Sequence, residues 1–378
     1  MREDTRAVHG DKGYDKYTGA ISYPLYMSAT FAHPEVGKST GYDYSRLQNP
    51  TREEVEETIK YLEHGCAGLA YSSGMAAITA IFAVLPARSH ILLSEDLYGG
   101  TPRLANEYFA DHLEIEYVDT TDLELVKSKI KDNTKALFIE TPSNPMMLVS
   151  DIAALADLIH QNQGYLIVDN TFLTPILQKP LDLGADVVVH SGTKYLCGHN
   201  DVIAGFIVVG DRQELIEALK QHYKSTGAIL SPFDSWLMIR SMKTLSIRVK
   251  KQQENAEKLV DFLKNHKNVT KVYYVGMEDH PGYDLNKKQA AGAGAMISFK
   301  VRDAKKAKDV LKKIKLIYFA ESLGGVESLM TYPLLQTHAE APKELTQKVG
   351  IDDTLLRMSV GIEDLEDLIQ DLQQALDD

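Results

Sequence analysis

A lysine in a turn of small polar residues is the feature of the sequence that most suggests chemistry. Lys194 lies in HSGTKYL (190–196), directly after the apolar run ADVVV, where a buried strand is expected to end. A lysine amine becomes a nucleophile when it is desolvated or lies near another positive charge, and it can then form a Schiff base with an aldehyde. Because most lysines are simply exposed to solvent, the interpretation depends on the surrounding residues.

Other parts of the sequence supply what one such aldehyde, pyridoxal phosphate, requires: an acid for its ring nitrogen and a cradle for its phosphate. Asp169, at the end of YLIVD, is placed to serve the ring nitrogen, and Ser191 and Thr193 could donate hydroxyls to phosphate. The stretch 72–84 (SSGMAAITAIFAV) predicts a helix whose N-terminal amides favour an anion. Tyr98 offers an aromatic face. Each has an ordinary structural interpretation, as cap, turn or core residue, but their joint occurrence in this order favours the cofactor.

Other classes of function fit the sequence less well. A metal hydrolase could use His190, His199 and Asp201, but their spacing matches no standard ligand pair, and we predict no metal site. A nicotinamide dehydrogenase would need G-x-G-x-x-G after its first strand, and GAGAM (292–296) precedes a strand instead. YSSGM does not match the G-x-S-x-G of a serine hydrolase. A non-catalytic cofactor-binding protein stays open, although loss of the lysine would be its usual mark.

Short β-branched runs alternate with helical segments and must position these residues. The runs are HILLSED (90–96), LEIEYVD (113–119), KALFIET (135–141), YLIVDN (165–170), DVVVHS (186–191) and FIVVG (206–210). This pattern predicts an open, mostly parallel sheet covered on both faces, with FIVVG antiparallel because the preceding link is short. Ligands bind outside the carboxyl ends of such strands, where Glu140, Asp169, Ser191 and Lys194 all fall.

The chain divides into three predicted regions. Residues 1–46 show no sustained period and predict an extended arm, residues 47–246 hold the α/β pattern, and residues 247–378 predict a smaller α+β domain. Within them, Thr51 and Glu54 resemble a capping box at the start of a helix that Gly65 ends, with Val55, Ile59 and Leu62 buried. One long helix is predicted over roughly 233–265. VYYVG, GAMISFK and LLRMSVG predict strands, and 303–314 and 363–376 predict helices.

Composition excludes several classes of partner. The 378 residues are 44% hydrophobic, enough for one large core or two joined ones, and the formal net charge is −12. That charge and the lack of a basic block argue against nucleic-acid binding. Two cysteines, Cys66 and Cys197, imply no disulfide framework. Without a signal-like or membrane-spanning apolar stretch, we expect a cytoplasmic protein that contacts no membrane.

Together these stretches resemble the pyridoxal-phosphate enzymes of cysteine and methionine (trans-sulfuration) metabolism. The matching stretches are GYDYSRLQNPTR, YSSGMAA, DLYGGTPR, ETPSNP, VDNTFLTP, HSGTKYLCGHND, AESLGGVESL and LLRMSVGIEDLEDL. The resemblance implies an aspartate-aminotransferase-like fold (fold type I), with a mostly parallel sheet in a large cofactor domain and a smaller C-terminal α+β domain. It also implies small amino-acid substrates, a homodimer as the active unit and a homotetramer.

The resemblance further implies a role for each matching residue. Lys194 would hold the cofactor, and Tyr98 would stack on its ring and assist proton transfer. The phosphate would be bound by Gly74, Met75, Ser191 and Thr193, together with Tyr44 and Arg46 of the neighbouring subunit. The substrate would be bound by Asn144 and Arg357, which hold its α-carboxylate, and by Ser322, Glu321 and Arg103.

Within the family, the sequence looks closest to the cystathionine γ-synthase branch. Glu321 is the residue type of γ-synthases and γ-lyases, and Arg103 suits a distal carboxylate. We therefore expect γ-replacement, in which an O-acylhomoserine and cysteine give cystathionine. Cleavage of cystathionine or related amino acids by a γ- or β-lyase is the alternative. Three residues depart from the family pattern: Cys197 replaces a usual glycine, Gly192 replaces a commoner alanine, and Pro102 lies beside Arg103.

Overall fold

The computed structural model describes residues 2–337, 346 and 348–377 and contains a seven-stranded sheet at its centre. Its strands are β1 (Ala67–Tyr71), β2 (His90–Ser94), β3 (Glu114–Val118), β4 (Thr134–Glu140), β5 (Tyr165–Asp169), β6 (Val187–Ser191) and β7 (Gly205–Val209). Their order is β1-β7-β6-β5-β4-β2-β3. All pairs from β3 to β6 are parallel, whereas β7 runs antiparallel to both β6 and β1. The predicted strands and the antiparallel β7 are confirmed.

Helices lie along the chain between and after these strands. They are α1 (Glu3–His9), α2 (Pro50–Leu62), α3 (Gly74–Val84), α4 (Gly100–Leu104), α5 (Leu123–Lys129), α6 (Ile152–Gln161), α7 (Thr174–Leu177), α8 (Gln213–Thr226), α9 (Pro232–Met242), α10 (Leu245–Lys264), α11 (Tyr283–Gln289), α12 (Ala304–Lys313) and α13 (Leu365–Asp377). A π-helical turn, Ala105–Phe109, continues α4, and two 3₁₀ turns lie at Pro180–Leu183 and Pro333–Leu335. No described helix is long and apolar enough to cross a membrane.

Apolar side chains fill both faces of the large sheet. On one face, the side chains of α3 and α8 pack against alternate residues of the strands, including Phe138, Ile167 and Val187. The other face packs against α2 and α6, and the apolar cluster that contains α2 continues through α10 into the core of the second sheet. A sheet buried on both sides fits the continuous apolar runs of the central strands.

A second, five-stranded sheet follows α10. Its strands are β8 (Val269–Tyr273), β9 (Met296–Val301), β10 (Tyr318–Phe319), β11 (Leu329–Thr331) and β12 (Leu355–Ser359), in the order β10-β11-β12-β9-β8. The helix α13 covers this sheet with Leu368 and Leu372 buried and Leu365 and Ile369 partly buried, as its periodicity predicts. The boundaries at residues 46 and 246 stay predictions.

Three local predictions were wrong. The arm is not extended throughout, because Glu3–His9 forms α1. The cap of α2 is Asn49, whose side chain accepts from the amides of Thr51 and Arg52, while Glu54 accepts instead from Asp11 and Lys12. The helix predicted over 233–265 is interrupted at residues 243–244, which separate α9 from α10. The buried stripe of Val55, Ile59 and Leu62 is confirmed.

Candidate active site

The carboxyl ends of β4, β5 and β6 meet at one edge of the large sheet and carry polar side chains. Glu140 is the register partner of Asp169, and Ser191 ends the adjoining strand. Lys194 lies in the turn that follows β6, where its amide donates to the Ser191 carbonyl at 3.2 Å. The sequence-predicted residues of this edge therefore do come together, because parallel neighbouring strands end side by side.

The amine of Lys194 is mostly removed from water. Its Nζ donates to Ser322 Oγ at 2.8 Å, across the gap between the two sheets. Burial and the nearby positive charge of Arg357 lower the pKa of Lys194 to about 8, while the carboxylate of Glu321 opposes that shift. A lysine in this state is neutral in a useful fraction near neutral pH, so it can act as a nucleophile or as a base.

Arg357 presents a buried guanidinium beside this lysine. It extends from β12, where it donates through Nη1 to Asn144 Oδ1 at 2.8 Å and through Nη2 to the Ser322 carbonyl at 3.1 Å and Thr331 Oγ1 at 3.2 Å. Its Nε is buried and makes no hydrogen bond within the described residues. A buried donor without a partner costs free energy, so this geometry favours an anionic ligand. Burial lowers the pKa of Arg357 to about 10, which still leaves it charged at neutral pH.

Asp169 is held by a threonine of the following loop. Its Oδ1 accepts from the Thr171 amide at 3.0 Å and the Thr171 hydroxyl at 2.5 Å, and that hydroxyl also accepts from the Ser191 amide at 2.9 Å. Desolvation raises the pKa of Asp169 above its ordinary value, and the two bonds from Thr171 oppose that shift without cancelling it. The side chain stays partly open to solvent, so a ligand can reach it.

Glu140 and Tyr98 form a second contact at this edge. The Tyr98 amide donates to Glu140 Oε2 at 3.0 Å, and about two fifths of the tyrosine is exposed. A Cβ added at Gly100 would lie 2.6 Å from the Tyr98 ring and 3.0 Å from Met75 Sδ, so that glycine lets the ring and Met75 come together. An exposed ring at the mouth of the edge can stack on a planar ligand.

The start of α3 faces the end of β6. A Cβ added at Gly74 would lie 3.2–3.3 Å from Cα, Cβ and Oγ of Ser191. The glycine therefore lets the first amides of α3 lie close to the serine hydroxyl. Ser73 caps the helix by accepting from the Ala76 amide at 3.0 Å. Helix N-terminal amides with a hydroxyl beside them make an anion site. The hydroxyl of Thr193 accepts from the Ala204 amide at 3.0 Å, so it also binds the backbone next to β7.

The three residues that depart from the expected pattern, Cys197, Gly192 and Pro102, are all buried. Cys197 is buried, its Sγ donates to Asp201 Oδ1 at 3.0 Å, and burial raises the pKa of the thiol, which makes it unreactive. A Cβ at Gly192 would lie 2.6 Å from the ring of Phe206. Pro102 is buried inside α4 and Arg103 is exposed on the next position of that helix. Glu321 is exposed beside Ser322.

Tyr44 and Arg46 contact a different part of the protein. Both are exposed, the Arg46 guanidinium lies over the Tyr44 ring at 5.6 Å, and Arg46 donates to the Lys224 carbonyl near the end of α8. Within this chain their described contacts do not include Lys194, Ser191 or Asp169. Their predicted role toward a neighbouring subunit stays a prediction.

The residues considered for a metal hydrolase do not share a site. His190 Nε2 lies 2.6 Å from Glu63 Oε1 in the buried interior, whereas His199 Nδ1 contacts the Cys197 carbonyl at 2.7 Å. The described residues contain no group of three or more His, Cys, Asp or Glu side chains arranged for a metal ion. A cleft of about 910 Å³ lies elsewhere, between β8 and the loop around Leu148. Its lining does not include Lys194, Asp169, Ser191 or Arg357.

Two residues of the site were missed by sequence reasoning. Thr171 holds both Asp169 and the Ser191 amide, and Thr331 supports Arg357. An aspartate followed two residues later by a threonine is a signal for a local side-chain turn, and it could have identified Thr171. No comparable signal marks Thr331, since it meets Arg357 only through the pairing of β11 with β12.

Comparison with known proteins gives matches over the whole chain. The family model for Cys/Met metabolism PLP-dependent enzymes matches residues 4–377. A cystathionine γ-lyase of Bacillus subtilis is 47% identical, with all of both chains covered. A cystathionine γ-synthase/O-acetylhomoserine (thiol)-lyase of the same organism is 48% identical, covering 96% of this chain and 93% of the relative.

Two further matches are a relative named for a different activity and a protein of known crystal structure. A cystathionine β-lyase of Lactococcus lactis is 44% identical, covering 99% of this chain and 98% of the relative. The crystal structure of a cystathionine γ-lyase from Lactobacillus plantarum, complexed with L-serine, superposes with a TM-score of 0.97. It is 43% identical, and the match covers 99% of this chain and 98% of that one.

Proposed function

Because the chain belongs to the family of PLP-dependent enzymes of Cys/Met metabolism, we propose that it catalyses γ-replacement on an O-acylhomoserine. In this reaction the Cγ–O bond to the acyl group breaks and the thiol sulfur of cysteine bonds to Cγ. The products are cystathionine and the free carboxylic acid. The protein would then be an enzyme of sulfur amino-acid metabolism that uses pyridoxal phosphate.

The residues present fit this cofactor. The buried amine of Lys194, with its lowered pKa, suits the cofactor's aldehyde, and Asp169 offers a carboxylate on the same sheet edge for its ring nitrogen. The amides at the start of α3, together with the Ser191 hydroxyl, suit its phosphate, because the glycine at position 74 leaves room where a Cβ would touch the serine. Tyr98 offers the exposed ring on which a planar heterocycle can stack.

We assign roles to the chain's own residues as part of the proposal. The cofactor, when bound, supplies an electron sink for charge that develops at the substrate Cα. Once the substrate amine has replaced it on the cofactor, Lys194 Nζ would accept the Cα proton and carry protons toward the β position, with Tyr98 assisting. Asp169 keeps a proton on the ring nitrogen, which maintains the sink. Arg357 holds the substrate α-carboxylate, with its free Nε as one of the donors.

The observation that supports a cystathionine γ-synthase, and equally a γ-lyase, is the position of Glu321. Its carboxylate is exposed at the opening of the site, and its charge reaches both Lys194 and Arg357. An acid there can pair with the ammonium of the incoming cysteine, which is the distal amino acid of cystathionine. A γ-lyase would use the same pairing to hold cystathionine, and the 47% identity to a B. subtilis cystathionine γ-lyase supports that second candidate.

Product analysis separates the candidates. Purified, cofactor-loaded protein is given O-acetylhomoserine plus cysteine in one reaction and cystathionine alone in another. Rapid cystathionine formation in the first, with little 2-oxo acid in the second, supports the synthase. Cysteine and 2-oxobutyrate from cystathionine would make it a γ-lyase, and homocysteine and pyruvate would make it a β-lyase. A homodimeric active unit, a homotetramer and a cytoplasmic location belong to the same proposal.

A further inference from the structure

Glu140 is a buried acid of the site to which the proposed reaction gives no task. It ends β4 as the register partner of Asp169, so the two carboxyl groups project from neighbouring strands on the same face of the sheet. Only 5% of Glu140 is exposed, whereas Asp169 stays partly open to solvent. Two carboxylates placed this way cannot both ionise without a large cost, because each raises the energy of the other's charged form.

Hydrogen bonding decides which of the two carries the charge. Asp169 accepts two bonds from Thr171, at 3.0 and 2.5 Å, and both stabilise its anion. The described structure gives Glu140 one donor, the Tyr98 amide at 3.0 Å. The other charged groups that act on Glu140 are Asp96, which is an acid and also buried, and Arg357. The balance of donors and burial therefore leaves the negative charge on Asp169 and the proton on Glu140.

The single bond that Glu140 does accept fixes the segment that carries the Tyr98 ring. Tyr98 lies two residues before the start of α4 at Gly100, and its ring packs close to Gly100 and Met75. Its amide lies before the first turn of that helix, so an acceptor from outside has to satisfy it. Glu140 reaches that amide from β4, which is a rigid central strand, and so sets where the ring stands relative to Asp169.

We propose that Glu140 is a positioning residue that acts as a neutral carboxylic acid, anchoring the Tyr98 main chain while leaving Asp169 as the charged acid of the cofactor site. Burial, followed by the charge of Asp169, raises the pKa of Glu140 well above its ordinary value, in agreement with this geometry. The inference rests on the roles proposed for Tyr98 and Asp169, but not on which cystathionine reaction the enzyme catalyses.

Two substitutions separate the reach of Glu140 from its acidity. Glu140→Gln keeps an oxygen that accepts from the Tyr98 amide but removes the carboxylic acid. Glu140→Asp keeps a carboxylic acid, but its shorter side chain no longer reaches the Tyr98 amide. The exposed Glu214 on α8 provides a control, Glu214→Gln. Cofactor-free protein is titrated with pyridoxal phosphate by absorbance without substrate, and the pH midpoint of the bound cofactor's absorbance is measured for each variant. Thermal unfolding of the cofactor-free proteins checks their folding.

We expect the Gln variant to bind the cofactor within about threefold of the parent and to keep its pH midpoint, like the control. The Asp variant should bind about tenfold more weakly, because the Tyr98 amide loses its buried acceptor. If Gln loses affinity, shifts the midpoint by about one unit or fails to fold, Glu140 acts as an anion and the inference is overturned. Parental affinity in the Asp variant would also overturn it. Since no substrate is present, a failure of the γ-replacement proposal leaves these readouts unaffected.

Discussion

At the scale of single residues, the protonation state of Lys194 controls whether the protein can capture its cofactor. Burial and the charge of Arg357 lower the pKa of this amine to about 8 from the ordinary 10.5. Only the neutral amine attacks an aldehyde, so capture is slow at pH values where Lys194 is protonated. The rate should therefore rise about tenfold per pH unit up to about pH 8 and then level off.

Stopped-flow absorbance after mixing cofactor-free protein with pyridoxal phosphate, at constant ionic strength, measures this rate. Free N-acetyllysine provides the control, because its rate should continue to rise toward pH 10, as expected for an ordinary lysine. Arg357→Gln should move the midpoint of the protein's profile upward, since the neighbouring positive charge is removed. A profile that rises without a plateau past pH 9 would contradict the lowered pKa.

The residues of the site differ in how far the sequence could predict them. Asp169 ends β5, and Ser191 and Lys194 end or follow β6. Since neighbouring parallel strands end at one edge, the proximity of these residues was predictable. The link between Lys194 and Ser322 was not, because it joins residues 128 positions apart across the two sheets. Glu140 was placed at the edge by its strand, but its bond to the Tyr98 amide depends on the path of a loop.

At the scale of secondary structure, the turn that carries Lys194 has little free space on its inner side. A Cβ at Gly192 would lie 2.6 Å from the Phe206 ring of β7 and 3.0 Å from Ala204 Cβ. Gly192→Ala should destabilise the protein by about 1–3 kcal/mol, because the ring has to shift within a packed core. Urea unfolding of the cofactor-free protein measures the free energy change.

A second substitution tests whether the Phe206 ring is the cause. Phe206→Leu alone removes part of a fully buried ring and should itself be destabilising. The double variant should lose less unfolding free energy than the two single variants together, because the ring that clashes with the alanine is gone. Strict additivity would show that the strain at residue 192 comes from another neighbour.

Element prediction succeeded where periodicity was strong and failed where local polar contacts decided the ends. The strands around the cofactor edge were predicted from continuous apolar runs, and the buried stripe of α2 from apolar side chains that recur with a helical period. The prediction of the α2 cap was wrong, because the Asn49 side chain accepts from the first amides of the helix and Glu54 binds the N-terminal arm instead. The interruption between α9 and α10 carries no proline or glycine, so the continuous helical pattern gave no sign of it.

At the scale of the whole molecule, the N-terminal arm exposes several large apolar side chains to solvent. Tyr17, Ile21, Met27 and Val36 are each at least 70% exposed. The base of the arm is nevertheless anchored, because the Tyr26 amide donates to Thr51 Oγ1 at 2.9 Å and Trp236 Nε1 donates to the Tyr23 carbonyl at 2.9 Å. A fixed, apolar arm is typical of a surface that another subunit covers.

A mixing experiment tests whether this arm completes the site of a neighbouring subunit, as proposed for Tyr44 and Arg46. Lys194→Ala should abolish activity and the yellow colour of the bound cofactor, and Arg46→Ala should weaken phosphate binding and lower activity. In a dimer that holds one subunit of each kind, the site with Lys194 would receive the intact Arg46 of its partner. That site is then native, while the other site lacks both groups.

Random pairing of equal amounts makes half of the dimers mixed, and each mixed dimer has one native site of two. Co-expressed or co-refolded variants should therefore recover about a quarter of the parental activity, well above the mean of the two variants measured separately. If the arm serves its own subunit, mixing creates no native site, and activity stays at that mean. The same experiment with Lys194→Ala and Asp169→Asn is the control, because both groups lie on one subunit's sheet edge and mixing cannot restore them together.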